Sequence, residues 1–534
     1  MHNPQSRSLL PLLPFCARLV MLASSLSVVS SSLAAEEPAG KTAKPIVNNA
    51  ALIPPYKPDS AVTMEGMSPD WVKTLIMAQF RIETASPEGT FASATKTLDH
   101  YAETGVNGLW INPVYERDPA SKTVGFNGYG NYGPHTIDPS LTGTADIDLS
   151  FAAVKTFVNE AHKRNIRVVF DIVVWGVAKG SPVFDEHKDW FSVNGAVTEM
   201  WGGWGFNWDH PDLREWFISA TVDFIIKTDA DGFRVDLAPD ITGYSVFEEV
   251  RKRLYARGKK VIIISEAPAE RRGVYDFEQN GVGREKDPNY QDPNWLSTFS
   301  RQSGDYYLRN SISDSIKTGK GIGIVPLQDA GEGGKFRFYS YNLANHDSQA
   351  TVMNGSRLKF GYPAIFAPFI PMWFIGEEWN NPKKNNVADP AMYFNTIDWA
   401  AKDVPANRAF FEDIKRFIQI RRSYPDIFEY FPENHRETNL IKVEVKGNPL
   451  ESYARYAANR AIIVVPNNTE TAKEFDVPVP LSSLGLKVAS KHKVTDLISM
   501  KVISEAIVAD DASFRATVMP DAVGIYLVEP AASL

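Results

Sequence analysis

Asp231-Gly232-Phe233-Arg234-Val235-Asp236 is the stretch whose reading decides the fold. A β-strand sends alternate side chains to opposite faces, so Phe233, Val235 and Leu237 share one side while Arg234 and Asp236 share the other. An arginine and an aspartate on one face of a buried strand are costly unless they pair or sit at the strand's open end. A structural ion pair would satisfy the first condition. The second holds at the C-terminal end of a strand in a parallel barrel, where side chains line an active site.

Two more segments repeat the pattern. Val261-Ile-Ile-Ile-Ser-Glu266 runs four aliphatic residues almost straight into a glutamate. Partial burial at a strand end would raise the pKa of Glu266, as a general acid requires. Tyr341-Asn-Leu-Ala-Asn-His-Asp347 again closes an apolar run with a carboxylate. Taken singly, Glu266 reads equally as a loop residue and Asp347 as a helix N-cap. Three strands each ending in a carboxylate, one with an arginine two residues earlier, are not a coincidence of loops and caps.

Working outward, strand patterns fall at Thr74–Phe80, Gly108–Asn112, Val168–Val174, Gly232–Leu237, Val261–Ser265, Phe338–Leu343 and Phe369–Ile375. Helical patterns between them cover Ser93–Thr104, Leu149–Lys163, Pro211–Thr228 and Ser245–Arg257. Strand–helix units over this length predict an α/β fold, a (β/α)8 TIM barrel spanning 67–430. Its sixth strand cannot be placed, because Asp276–Gly304 is too polar to show one. A short insertion, about 176–206, follows strand three. After the amphipathic helix Ala409–Arg422 the pattern changes to short alternating strands: Leu440–Val445, Ser452–Ala457, Ala461–Val465, Phe475–Val479 and Val523–Val528. These predict a C-terminal antiparallel β-sandwich over 431–534.

At the other end, Arg7 and Arg18 precede the apolar, serine-rich run Leu19–Ala34, and Ser32-Leu33-Ala34 fits a small-x-small cleavage site. Residues 1–34 read as a signal peptide and 35–66 as a linker or N-terminal arm. The single cysteine, Cys16, falls in the signal segment, so the mature chain would carry no disulfide and no thiolate metal site. Export without disulfides points to a bacterial periplasmic or extracellular protein, with no membrane attachment after cleavage. A net charge of −8 disfavours a nucleic-acid partner. The oligomeric state is open.

The order and wording of the carboxylate segments resemble the α-amylase family of glycoside hydrolases. The resemblance implies Asp236 as nucleophile, Glu266 as general acid/base and Asp347 as transition-state stabiliser. It further implies that Arg234 holds Asp236 ionised and oriented, that His346 binds sugar hydroxyls and that Tyr129 stacks on the sugar at the cleavage point. Asn127-Gly-Tyr129, Ile137-Asp-Pro139, Val169-Phe-Asp171-Ile-Val-Val, Phe206-Asn-Trp-Asp-His-Pro211 and Gly376-Glu-Glu378 extend the likeness over residues 70 to 425. The implied activity is retaining hydrolysis of α-glucosidic bonds in α-glucans or oligosaccharides. A transglycosylase with the same site and a non-catalytic sugar-binding relative are the alternatives, and intact Asp236, Glu266 and Asp347 count against the latter.

One departure stands out. The family's strand-three motif ends Asp-x-x-x-Asn-His, whereas this chain reads Asp171-Ile-Val-Val-Trp175-Gly176. The family's usual calcium site is therefore in doubt, and no cofactor is expected. Nor does Leu237-Ala-Pro-Asp240 show the Lys-His pair of many α-amylases. Trp175, Trp201, Trp204, Trp208 and Trp379 are candidate stacking surfaces for pyranose rings. Of these, Trp175 and Trp204 join the substrate-binding set. Met200-Trp-Gly-Gly-Trp-Gly-Phe206 reads as a cleft-lining loop, since glycines between aromatics pack poorly in a core strand.

Overall fold

The computed structural model describes residues 48–57, 68–117, 128–237, 245–266, 275–278, 340–343, 345–346, 355–382, 395–429, 439–450 and 452–531. The expected signal peptide, most of the expected linker, and Asp347 lie outside them. Among the described residues no helix is long and apolar enough to cross a membrane.

Eight strands form one parallel sheet: Met77–Phe80, Gly108–Ile111, Arg167–Ile172, Gly232–Val235, Ile262–Ser265, Phe277–Glu278, Ser340–Asn342 and Ile370–Phe374. Numbered along the chain, their spatial order is 6-5-4-3-2-1-8-7. That is the cyclic order of a (β/α)8 barrel, with no pairing of strands six and seven among the described residues. The sixth strand does exist, at Phe277–Glu278, but two residues are too few to carry a periodic signal. The helix expected over Ser93–Thr104 is two, Phe91–Thr95 and Leu98–Thr104.

Side-chain alternation divides the apolar residues into two cores. Met77, Trp110, Val169, Ile262, Ile264, Phe277, Ile370 and Met372 pack together inside the barrel. Their neighbours in sequence, among them Ala78, Leu109, Phe170, Phe233, Val235 and Ile263, join the larger cluster under the surrounding helices. The parity of the inner set continues to Gln79, Asp171, Arg234, Asp236 and Glu266 at the strands' C-terminal ends. The barrel's interior is tight at Gly232, where an added Cβ would lie 2.1 Å from the Ile262 carbonyl oxygen. Gly232→Ala is therefore expected to cost about 2 kcal/mol or more, seen as a lower Tm.

Two latches join the ends of the chain to the barrel. Asn49 is fully buried and its Nδ2 donates to the Thr104 and Lys415 carbonyls, both at 2.9 Å. Arg422, near the end of the helix Pro405–Ser423, donates through Nη1 to the Thr74 carbonyl and through Nη2 to the Gly105 carbonyl and Asn107 Oδ1.

The C-terminal part is antiparallel. One sheet takes the order Leu440–Val443, Ser452–Ala457, Arg460–Asn467, Ala522–Pro530, His492–Asp496, Lys501–Ile507, and a second pairs Lys473–Pro478 with Ser513–Val518. Three of these strands escape the sequence pattern: His492–Asp496, Lys501–Ile507 and Ser513–Val518. The sandwich encloses its own core around Ile463, Val477, Val494 and Val528. Ser356 to Asp521 (2.7 Å) and Arg416 to the Leu497 carbonyl (2.8 Å) fasten it to the barrel.

Candidate active site

Arg234 organises the site. Its guanidinium is fully buried. Nη1 donates to Asp171 Oδ1 at 2.9 Å and to Asp236 Oδ1 at 2.8 Å, and Nη2 lies 3.1 Å from Glu266 Oε1. The three acids come from barrel strands three, four and five, brought together because the register sets Asp171 beside Arg234 and Arg234 beside Ile264. The indole of Trp110 donates to Asp171 Oδ2 at 3.1 Å, and the Tyr129 hydroxyl donates to the same oxygen at 2.7 Å.

His346 closes the opposite side. Its ring stacks on Tyr129 with centroids 5.3 Å apart. Gln79, from strand one, holds it twice: Nε2 lies 2.7 Å from His346 Nδ1, and Oε1 accepts the His346 backbone N–H at 3.2 Å. Tyr129, Arg234, Asp236, Glu266 and His346 are thus gathered in one place.

Protonation departs from the sequence expectation. Burial pushes Asp236 well above the usual carboxylate range; Arg234 opposes this, while the like charges of Glu266 and Asp171 add to it. Burial also acts on Glu266, but Arg234, the Leu237 N–H, His346 and a hydrogen bond from Asp236 outweigh it and hold Glu266 below its ordinary value. The Leu237 N–H donates to Glu266 Oε2 at 2.6 Å where the chain leaves strand four, Leu237 itself having a left-handed φ of 52°. Burial raises Asp171 to about 6 despite Arg234. The expectation that Arg234 keeps Asp236 ionised and that Glu266 is raised is therefore reversed in the unliganded site. The physical reason is that one guanidinium is divided among three carboxylates, and the extra backbone donor goes to Glu266.

Asp171, Trp110 and Gln79 were absent from the residues singled out by sequence as substrate-binding or catalytic. Asp171 and Gln79 did leave a trace: each is a polar residue at an inward-facing position close to the C-terminal end of a strand, after apolar residues.

The tryptophans separate. Trp175 is buried and its indole donates to the Tyr129 carbonyl at 3.1 Å. Trp204 lies flat on Phe184, centroids 4.3 Å apart, with the Lys179 ammonium above it. Trp208 and Trp379 belong to the large core. Met200–Phe206 is not an open loop: Glu199–Met200 and Gly203–Gly205 form a hairpin whose second strand pairs with Gly176–Ala178. Gly176 is required there, since a Cβ would lie 2.0 Å from the Trp204 carbonyl oxygen. A histidine cannot occupy that position on this backbone, and the Trp175 side chain has no oxygen where the family's asparagine amide would supply one. These residues do not fit the family's calcium site, and among the described residues no group of three His, Cys, Asp or Glu could hold a metal.

Comparison with known proteins agrees with this geometry. The malto-oligosyltrehalose trehalohydrolase of Saccharolobus solfataricus is 25% identical over 361 residues, covering 60% of this chain and 58% of that protein. The α-amylase MalA of Haloarcula japonica is 23% identical over 430 residues, covering 75% of this chain and 56% of that protein. The chain thus spans a little over half the length of these two relatives. Among solved structures, the maltogenic α-amylase AmyB of Thermotoga neapolitana superposes with a TM-score of 0.64 at 19% identity, covering 86% of this chain and 99% of that one, a likeness of fold. Residues 74–199, which carry the first three barrel strands with Tyr129 and Asp171, match the family description "Alpha amylase, catalytic domain". On that match and these relatives, the chain is similar to the α-amylase family, and its barrel topology agrees with that likeness.

Proposed function

We infer that this protein is a retaining glycoside hydrolase acting on α-glucosidic bonds of α-glucans or oligosaccharides. The observation that carries the reading is that one guanidinium grips both carboxyls, with Arg234 Nη1 2.8 Å from Asp236 Oδ1 and Nη2 3.1 Å from Glu266 Oε1. Inverting glycosidases separate their carboxyls by roughly 6.5–9.5 Å to admit a water, whereas retaining ones bring them to about 5–5.5 Å. Two carboxyls held by the two nitrogens of one guanidinium sit on the close side of that divide. The names of the relatives, which include a cyclomaltodextrinase from Bacillus sp, support an α-glucan substrate.

In this reading Asp236 attacks the anomeric carbon while Glu266 protonates the leaving oxygen. Glu266 then takes a proton from water, or from an acceptor sugar, as the glycosyl–Asp236 ester is cleaved. In the empty site burial raises Asp236 while Arg234 and the Leu237 N–H lower Glu266, the reverse of the order that the first step needs. A proton must therefore move to Glu266 before the first step. A leaving-group oxygen replacing the Leu237 N–H as the partner of Glu266 would drive that transfer, because it removes a donor that favours the ionised form. Tyr129 and His346 offer a stacked aromatic wall for the sugar, and Asp347 takes the stabilising role that the family resemblance gives it.

Proton NMR during turnover tests the scheme. The first-formed reducing end is expected as the α-anomer; appearance of the β-anomer first would end the proposal. Export forms part of the same reading, and N-terminal sequencing of the secreted protein should start just after Ala34.

A further inference from the structure

Trp201 is placed against the rules of its own turn. It and Gly202 are the two central residues between the hairpin strands Glu199–Met200 and Gly203–Gly205, with Met200 paired to Gly203. Both have positive φ, 45° for Trp201 and 78° for Gly202. Such tight hairpin turns favour Asn-Gly or Gly-Gly, because positive φ at the first central position crowds any bulky side chain. Trp201 is also 51% exposed, so the strain gains no burial in return. Backbone strain of this kind persists where a function depends on it.

The position supplies the function. The Trp201 ring stands edge-on to Trp175, centroids 5.7 Å apart at 85°. Trp175 is buried and fixed by its bond to the Tyr129 carbonyl, and the Tyr129 hydroxyl is bonded to Asp171 in the carboxylate cluster. The hairpin lies flush on this support: a Cβ on Gly203 would sit 2.6 Å from the Trp175 ring. Trp201 is therefore the outermost ring of a rigid run of contacts that begins at the catalytic carboxylates.

We propose that Trp201 is an aromatic platform for a glucose ring of the substrate lying beyond the cleavage point, making the enzyme prefer longer α-glucan chains. The proposal rests on the glycosidase reading above. A pyranose presents an apolar C–H face that an exposed indole can cover, while its hydroxyls stay in water. A platform held from beneath by Trp175 loses little freedom on binding, which favours affinity.

Trp201→Gly and Trp201→Asn separate a platform from a structural residue, because both suit the turn better than tryptophan. Their Tm is expected to equal or exceed that of the wild type. Their kcat/KM on maltohexaose should fall roughly fivefold to tenfold more than on the shortest substrate cleaved, mainly through KM, and Trp201→Tyr should recover most of the loss. A lower Tm with an unchanged chain-length preference would make Trp201 a structural residue and overturn the proposal. Inactivity of the wild type on every α-glucan would instead defeat the glycosidase reading. Tryptophan fluorescence titrated with maltohexaose then decides the platform separately: a signal lost in Trp201→Gly upholds it, and an unaltered or absent signal overturns it.

Discussion

Asp236→Asn and Glu266→Gln are each expected to lower kcat on a natural α-glucan by on the order of 10³-fold or more, the scale of removing a positioned acid, base or nucleophile. The two losses should differ in kind. Glu266 is needed where the leaving oxygen must be protonated, so Glu266→Gln should keep much more activity on an aryl glucoside whose phenol leaves unaided. Asp236→Asn should not, since no other group can form the glycosyl ester. Initial rates on both substrates, with each variant, make the comparison. Equal losses on the aryl glucoside would contradict the assigned roles. Neither change should unfold the protein. Burial raises Asp236, so a neutral asparagine suits the same place, and its amide oxygen can still accept from Arg234. A glutamine oxygen at 266 can still accept the Leu237 N–H.

Arg234→Met should be the most damaging single change to the folded state. It would leave Asp171, Asp236 and Glu266 without the guanidinium that contacts all three. Breaking a buried ion pair from one side costs about 3–5 kcal/mol, and here three acids lose their partner. The loss has a pH signature. Without Arg234 the folded-state pKa of each acid rises above its unfolded value. Between those two values the folded state binds more protons than the unfolded chain, so stability falls as pH rises through the window. The Tm deficit against the wild type should be larger at pH 8 than at pH 5. Arg234→Lys restores a charge but not the fork that reaches three carboxylates, and should recover only part of the loss. A deficit independent of pH would show that packing, and not charge, is what Arg234 supplies.

The barrel was legible wherever a strand ran four or more residues with one apolar face. Arg234 and Asp236 read correctly as sharing a face because alternation is a property of the backbone. Phe277–Glu278 did not read, since two residues have no period. Lys501–Ile507 is mostly exposed on both faces, which removes the contrast that alternation needs. Within the site, Asp171 was visible as a motif residue, but its position beside Arg234 depends on register between strands far apart in sequence. The order of protonation was hidden for a different reason. It turns on a single backbone N–H, that of Leu237, at a point where the chain leaves the strand with a left-handed φ at a residue type that seldom adopts one.

The two latches bear on how the molecule is made. Asn49 joins carbonyls of Thr104 and Lys415, and Arg422 joins Thr74, Gly105 and Asn107. Each ties the beginning of the chain to a helix that leaves the ribosome some 300 residues or more later. Contacts so distant in sequence form late, because a long loop must close before they gain anything. The first strand–helix unit therefore waits, unlatched, through most of synthesis. A nascent chain truncated before Pro405 should be readily digested by protease around residues 48–107, and the same segment should become resistant once Arg422 has been added.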